Sequence, residues 1–208
     1  FGLGSDRVSP LHLPFYSDDI FPHYPDFETD VRPILELLER VKPTIISLAL
    51  DPEGSGPDTH FKTLIALSMA IDQYHEQHPE IDLHVWGYRN VWSRYHISDV
   101  NMLIPTSLNS FAVIRSIFNT CYLSQRSADF PSYEYDGPFS ELAQKVWVEQ
   151  QDDICALMGE DYFYKSESMM MKRAYGMIYL KDMTYDEFHS YMVPVKRLLE
   201  VKDALQEK

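Results

Sequence analysis

The sequence predicts an α/β fold, with a mostly parallel sheet flanked by helices and a helical C-terminal half. Three observations carry this. Residues 44–50 (Thr-Ile-Ile-Ser-Leu-Ala-Leu) form a short, nearly unbroken apolar run, as expected of a strand covered on both faces. Two prolines and two glycines then break the pattern (Pro52, Gly54, Gly56, Pro57), and Leu64, Leu67, Ile71 and Tyr74 recur at helical spacing. Strand-like and helix-like periods alternate from residue 28 to residue 104, the order from which right-handed crossovers build a parallel core.

Taken in order, a short strand is expected at residues 9–13, then a loop rich in proline (Pro14, Pro22, Pro25), then a helix over 28–41 stopped by Pro43. The apolar run at 44–50 is expected to be a central strand. Asp58 or Thr59 is expected to cap the helix that runs to about residue 77. Residues 82–88 alternate and read as the next strand, and 99–104 as another. Residues 108–123 and 139–157 are two amphipathic helices joined by an aromatic, proline-containing loop. After a break at Gly159, residues 176–180 suit a late strand and 185–205 a terminal helix, in which Pro194 implies a kink or a split. No internal repeat or low-complexity tract interrupts this order.

A chain of 208 residues, 45% of them hydrophobic, can bury one sizeable core and is most simply a single domain. It begins Phe1-Gly-Leu-Gly-Ser without methionine, so a piece of a longer polypeptide is expected. The formal charge of −14 is spread along the chain and argues against a nucleic-acid or anionic-membrane partner. No run approaches a membrane helix and no leader pattern opens the chain, so a cytoplasmic protein is expected. Cys121 and Cys155 each lie in an apolar helical pattern and read as buried free thiols. His75 and His78 lie in a polar helix end and read as solvated.

The candidate site is the loop after the apolar run, Asp51-Pro-Glu-Gly-Ser-Gly-Pro-Asp58-Thr-His60, because open α/β sheets keep their ligands at the carboxyl ends of strands. Asp51, Glu53, Asp58 and His60 suit a metal or acid/base chemistry, with His60 expected on the sheet-facing side of the first helical turn. The same composition also serves plain turns and caps, and it is no complete zinc ligand set. Arg89, directly after Tyr88 at the end of the second strand, can hold a phosphate or carboxylate in its planar fork, while Trp86 and Trp92 suit a sugar ring or the core. Arg94 reads as pairing with a surface acid. Glu134 and Asp136 in the aromatic loop suit either a lid or a capped connection. No Gly-x-Ser-x-Gly elbow and no Gly-x-Gly-x-x-Gly loop is present.

Three segments together resemble the C-terminal portion of a PIG-L/LmbE-like deacetylase domain: Leu11-His-Leu-Pro-Phe-Tyr16, the strand with its 51–62 loop, and Val85-Trp-Gly-Tyr-Arg-Asn-Val-Trp92. The likeness covers roughly residues 9–159 and is nearest to versions fused to a glucosamine-6-phosphate deaminase-like domain. It implies a Rossmann-like fold and, in active members, a zinc-type metal that serves to hydrolyse the N-acetyl group of N-acetylglucosamine derivatives. By that resemblance His60 is a metal ligand and Asp58 the catalytic acid beside it; at the end of the next strand Arg89 and Tyr88 are expected to hold the substrate. The family's early His-Pro-Asp-Asp motif is absent; His23-Tyr-Pro-Asp26 and Tyr16-Ser-Asp-Asp19 lack its spacing.

The resemblance therefore implies part of a metal-dependent deacetylase domain acting on an N-acetylated amino sugar or its phosphate. The chain is expected to lack the first strands and the first metal motif, to bind zinc weakly or not at all alone, and to expose an apolar surface or have a partner chain cover it, as in a homo-oligomer, because unpartnered strand edges and apolar patches favour association. The alternative is a non-catalytic sugar-binding or assembly domain of a glucosamine-6-phosphate deaminase-like protein.

Overall fold

The computed structural model describes residues 3–16, 23–91, 93–123, 126 and 137–206, excepting the side chains of 198–206. The chain divides into two compact units, one formed by the chain up to Ser93 together with Asp182 onward, the other by Arg94–Lys181.

In the first unit, a π-helical turn Phe27–Val31 leads into α1 (Arg32–Val41), then β1 (Ile45–Ala49), α2 (Asp58–Gln77) and β2 (His84–Tyr88), and α7 (Tyr185–Gln206) returns to it. Lys42 closes α1 in the left-handed region (φ 49°), donating its amide to Leu38 O, and Pro43 cannot continue the helix. β1 and β2 pair in parallel, Ile46 opposite Val85 and Leu48 opposite Gly87. That face is buried: Val85 is fully covered and Leu48 nearly so, in a core with Ile34 and Leu38 of α1, Leu64, Ile71 and Tyr74 of α2, and Phe188, Met192 and Val195 of α7. The opposite face carries Ile45 at 47% exposure and Tyr88 at 42%.

In the second unit, β3 (Met102–Thr106) runs antiparallel to β4 (Gly176–Thr184), with α3 (Leu108–Cys121), α4 (Phe139–Met158) and two short helices, α5 (Asp161–Lys165) and α6 (Met169–Lys172). The final residues of β4, Asp182–Thr184, belong to the first unit. Tyr179 on β4 is buried and donates its hydroxyl to Gln150 O at 2.7 Å; burial pushes that phenol up to about 12. Gly159 stops α4 at φ 83°, a conformation open to glycine.

The α/β class holds, as a mixed four-stranded sheet in the order β1-β2-β4-β3, with helices beside it. Several local expectations do not. Residues 9–13 form no strand: Pro10 and Pro14 remove ladder donors, and a 3₁₀ turn, Pro14–Tyr16, follows instead. β1 is parallel to β2 but ends the strand order, and only one of its faces is covered, the other carrying Ser47 between Ile45 and Ala49. An apolar run of this length is consistent with burial on one side as well as two. α7 continues through Pro194 without splitting. Cys121 is exposed at the end of α3 and Cys155 half-buried; burial raises the Cys155 thiol, and both are free. His78 is paired with Glu39 at 2.7 Å and His75 stacks on Tyr185 at 3.7 Å, so neither is simply solvated.

Gly176 begins β4 where a Cβ would come within 2.9 Å of the Phe111 ring and of Thr106 Oγ1, and 3.0 Å of Trp147 Cβ. Replacing it with alanine must displace one of three packed groups. Gly176→Ala is expected to cost about 1–3 kcal/mol in urea unfolding, the usual effect of overpacking.

Candidate functional site

Asp51 follows β1, is 3% exposed, and organises the loop beyond it. Its carboxylate accepts from Ser55 Oγ and from Gly56 N, each at 2.8 Å. Gly54 donates back to Asp51 O at 3.1 Å with φ 63°, so the turn needs a residue without a Cβ. From the end of the neighbouring strand, Arg89 reaches across: Nη1 donates to Asp51 Oδ1 at 3.3 Å and to Glu53 Oε2 at 2.5 Å, while Nη2 donates to Glu53 Oε1 at 3.1 Å and to Tyr191 Oη of α7 at 3.4 Å. Arg89 thus forks onto Glu53 and bridges β1, β2 and α7. Its hydrogen bond holds the Glu53 carboxyl below the ordinary value, against the raising effect of burial. The main chain ties the same two strand ends together, Leu50 N donating to Tyr88 O at 2.8 Å.

α2 begins at Asp58 with Pro57 before it and no side-chain cap, so neither Asp58 nor Thr59 caps the helix. Proline offers no side-chain acceptor, and Asp58 as the first helical residue already suits the positive end of the helix dipole. Its carboxylate pairs instead with Lys62 one turn on, at 2.5 Å. The Lys62 side chain is 6% exposed, and its ammonium lies 4.9 Å from the Tyr24 ring centre. His60 is exposed, not sheet-facing. The buried stripe of α2 begins with Lys62 and Leu64, so a first-turn residue four positions before Leu64 still stands in solvent.

The loop therefore brings together Asp51, Glu53 and Arg89, and separately Asp58 and Lys62. Tyr88 is 42% exposed at the end of β2. Arg94 pairs with Glu149 as a surface contact, and Asp26 caps the π-helical turn by accepting from Glu28 N and Thr29 N at 2.9 and 3.1 Å. Trp92, Glu134, Asp136 and the Asp18–Asp19 pair lie outside the described residues. Tyr191 and Lys62 complete the two clusters and drew no notice in the sequence. Lys62 stands four residues after Asp58, a spacing that signals a helical ion pair; Tyr191, more than 100 residues from Arg89, has no local signal.

The donors present do not fit a zinc site. His60 is the one imidazole of the loop, the Asp51 carboxylate already receives a guanidinium, a hydroxyl and an amide, and Asp58 receives an ammonium. Among the described residues, no three His, Cys, Asp or Glu side chains gather as a metal would require.

Comparison with known proteins adds one relative. Over 107 residues the chain is 34% identical to a Bacteroides thetaiotaomicron protein described as glucosamine-6-phosphate deaminase-like; the match covers 49% of this chain and 16% of that protein's length. No family profile matches the chain, and no solved structure matches it. No helix among the described residues is long and apolar enough to cross a membrane.

The clusters differ in what their loss should cost. Asp51→Ala leaves Arg89 without one buried partner and the turn without its acceptor, so unfolding free energy should fall by about 3 kcal/mol or more. Asp58→Ala removes a half-exposed carboxylate and should cost no more than about 1 kcal/mol. Because Glu53 titrates lower when folded, its pairing stabilises fully above the unfolded value of 4.5 and is lost as pH falls through the folded one. Melting of wild type and Glu53→Gln should therefore differ at pH 7, by no more than about 1 kcal/mol for so exposed a carboxylate. The two should converge as the pH drops below 4.5.

Proposed function

We propose that this chain is a non-catalytic, sugar-binding domain of a glucosamine-6-phosphate deaminase-like protein. The observation that carries the reading is the internal pairing of the loop's charged groups. A general base needs a carboxylate free to take a proton, and a substrate clamp needs an open guanidinium fork. Here Asp51 and Glu53 meet Arg89, which also reaches Tyr191 and so ties the ends of β1 and β2 to α7, while Asp58 meets Lys62 within the first turns of α2. The partial match to a protein described as glucosamine-6-phosphate deaminase-like supports an amino sugar or its phosphate as the chemical class.

A second reading is favoured by one observation, the exposure of His60 at the start of the helix after the loop. In it the chain is part of an N-deacetylase for an amino sugar, with His60, Asp58, Arg89 and Tyr88 at its site and the remaining metal donors supplied from elsewhere.

One assay separates the two. The longer protein that carries this chain is incubated with N-acetylglucosamine and its 6-phosphate, with and without added zinc, so that donors supplied from elsewhere are present, and acetate is measured. Acetate should not exceed the blank. Zinc-dependent acetate release that disappears in His60→Ala, with unfolding changed by no more than about 0.5 kcal/mol, would replace the binding reading with the hydrolase.

A further inference from the structure

The segment 11–16, which forms no regular strand, lines an open cleft of about 550 Å³ together with Thr63 of α2. That volume lies within the roughly 300–1,000 Å³ usual for small-molecule sites. The wall is anchored from behind. Phe15 is 2% exposed, and its amide donates at 2.9 Å to Asp30 Oδ1, a fully buried carboxylate whose other oxygen accepts from Asp26 N at 2.8 Å and Thr29 Oγ1 at 3.2 Å. Tyr16 N closes the turn onto Leu13 O at 3.1 Å. Within this fixed segment His12 is held at φ 49°, a left-handed conformation that costs a non-glycine residue energy. Such a conformation persists where its surroundings impose it, and here it falls in the cleft wall.

We infer that this cleft binds an uncharged saccharide ring, and that it discriminates against the phosphorylated form of the same sugar. The inference rests on the sugar-binding reading above and gives it a place and a selectivity. Among the described residues the lining holds no Lys, Arg, Asp or Glu. A phosphate brought there would shed water with no lysine or arginine among these residues to receive it, and with His12 as the one group able to carry a positive charge, in a chain whose formal charge is −14. A pyranose is amphipathic, with an apolar face of C–H groups and a rim of hydroxyls. Leu11, Leu13 and Pro14 offer it apolar surface, and the 66%-exposed Tyr16 offers a phenol whose electron-rich face attracts C–H groups. Thr63 donates its hydroxyl proton to Thr59 O at 2.8 Å, which leaves its oxygen to accept from a sugar hydroxyl. His12 adds a ring that can donate or accept.

The test is a titration of the ¹⁵N-labelled chain with N-acetylglucosamine and, separately, with N-acetylglucosamine 6-phosphate, followed by amide NMR. N-acetylglucosamine should perturb the amides of residues 11–16 and Thr63, and the 6-phosphate should bind at least about ten-fold more weakly. Tyr16→Ala and Thr63→Val, each checked for an unchanged melting temperature, should weaken binding about five-fold or more. N-acetylglucosamine 6-phosphate binding as tightly as the neutral sugar, perturbations confined to residues outside the cleft, or wild-type affinity in both variants would each overturn the inference. Should one variant fail to fold, the other and the phosphate comparison decide. The result is independent of the product assay above: acetate release would sink the non-catalytic reading and leave a cleft signal standing, and a silent cleft would sink this inference alone.

Discussion

The buried carboxylate of Asp51 sets the geometry of the site loop and of the strand ends beside it. A charge with 3% exposure is tolerable only when its oxygens are occupied, and here a hydroxyl, a backbone amide and a guanidinium occupy them. Each partner fixes a different element. Ser55 and Gly56 shape the turn into α2, and Arg89 carries the constraint to β2 and, through Tyr191, to α7. The contact joins residues far apart in sequence, so the turn cannot take this form before the strands are side by side.

A second cluster repeats the device between helices. Asp72 of α2 accepts from His189 Nδ1 at 3.0 Å and from Tyr185 Oη at 3.3 Å, and it also pairs with Lys196, all three on α7. Burial, with Asp72 close by, raises the Tyr185 phenol, so this tyrosine stays a donor throughout the neutral range. One carboxylate thus gathers three side chains spread over three turns of the same helix. The arrangement fixes the rotation of α7 and turns Phe188, Met192 and Val195 toward the core.

The elements with regular period were legible in the sequence. α2, α3, α4 and α7 fall within a residue or two of their expected spans, since apolar spacing along a helix reports the face it buries. The position of β1 was not legible: its residues are those of a half-covered strand, and the strand order depends on which partner arrives beside it, a non-local outcome. The stretch around Pro10 and Pro14 alternates like a strand, but the missing donors decide against it. At the candidate site, the sequence singled out the loop after β1 and Arg89, which the structure brings together. It could not show that the arginine and the acids face one another, because residues 51 and 89 meet only through the parallel register of β1 with β2.

Among the described residues, β1 has a partner on one side only in the sheet. The unpaired stretch is five residues long, from Ile45 to Ala49. Pro43, just upstream, has no N–H to offer an incoming strand, and at the other end the chain turns at once into the loop held by Asp51. A second polypeptide seeking to extend the sheet would find a ladder of two or three rungs that stops at both ends. Protection against runaway strand addition is thus built from the same proline and carboxylate that close the preceding helix and shape the following turn.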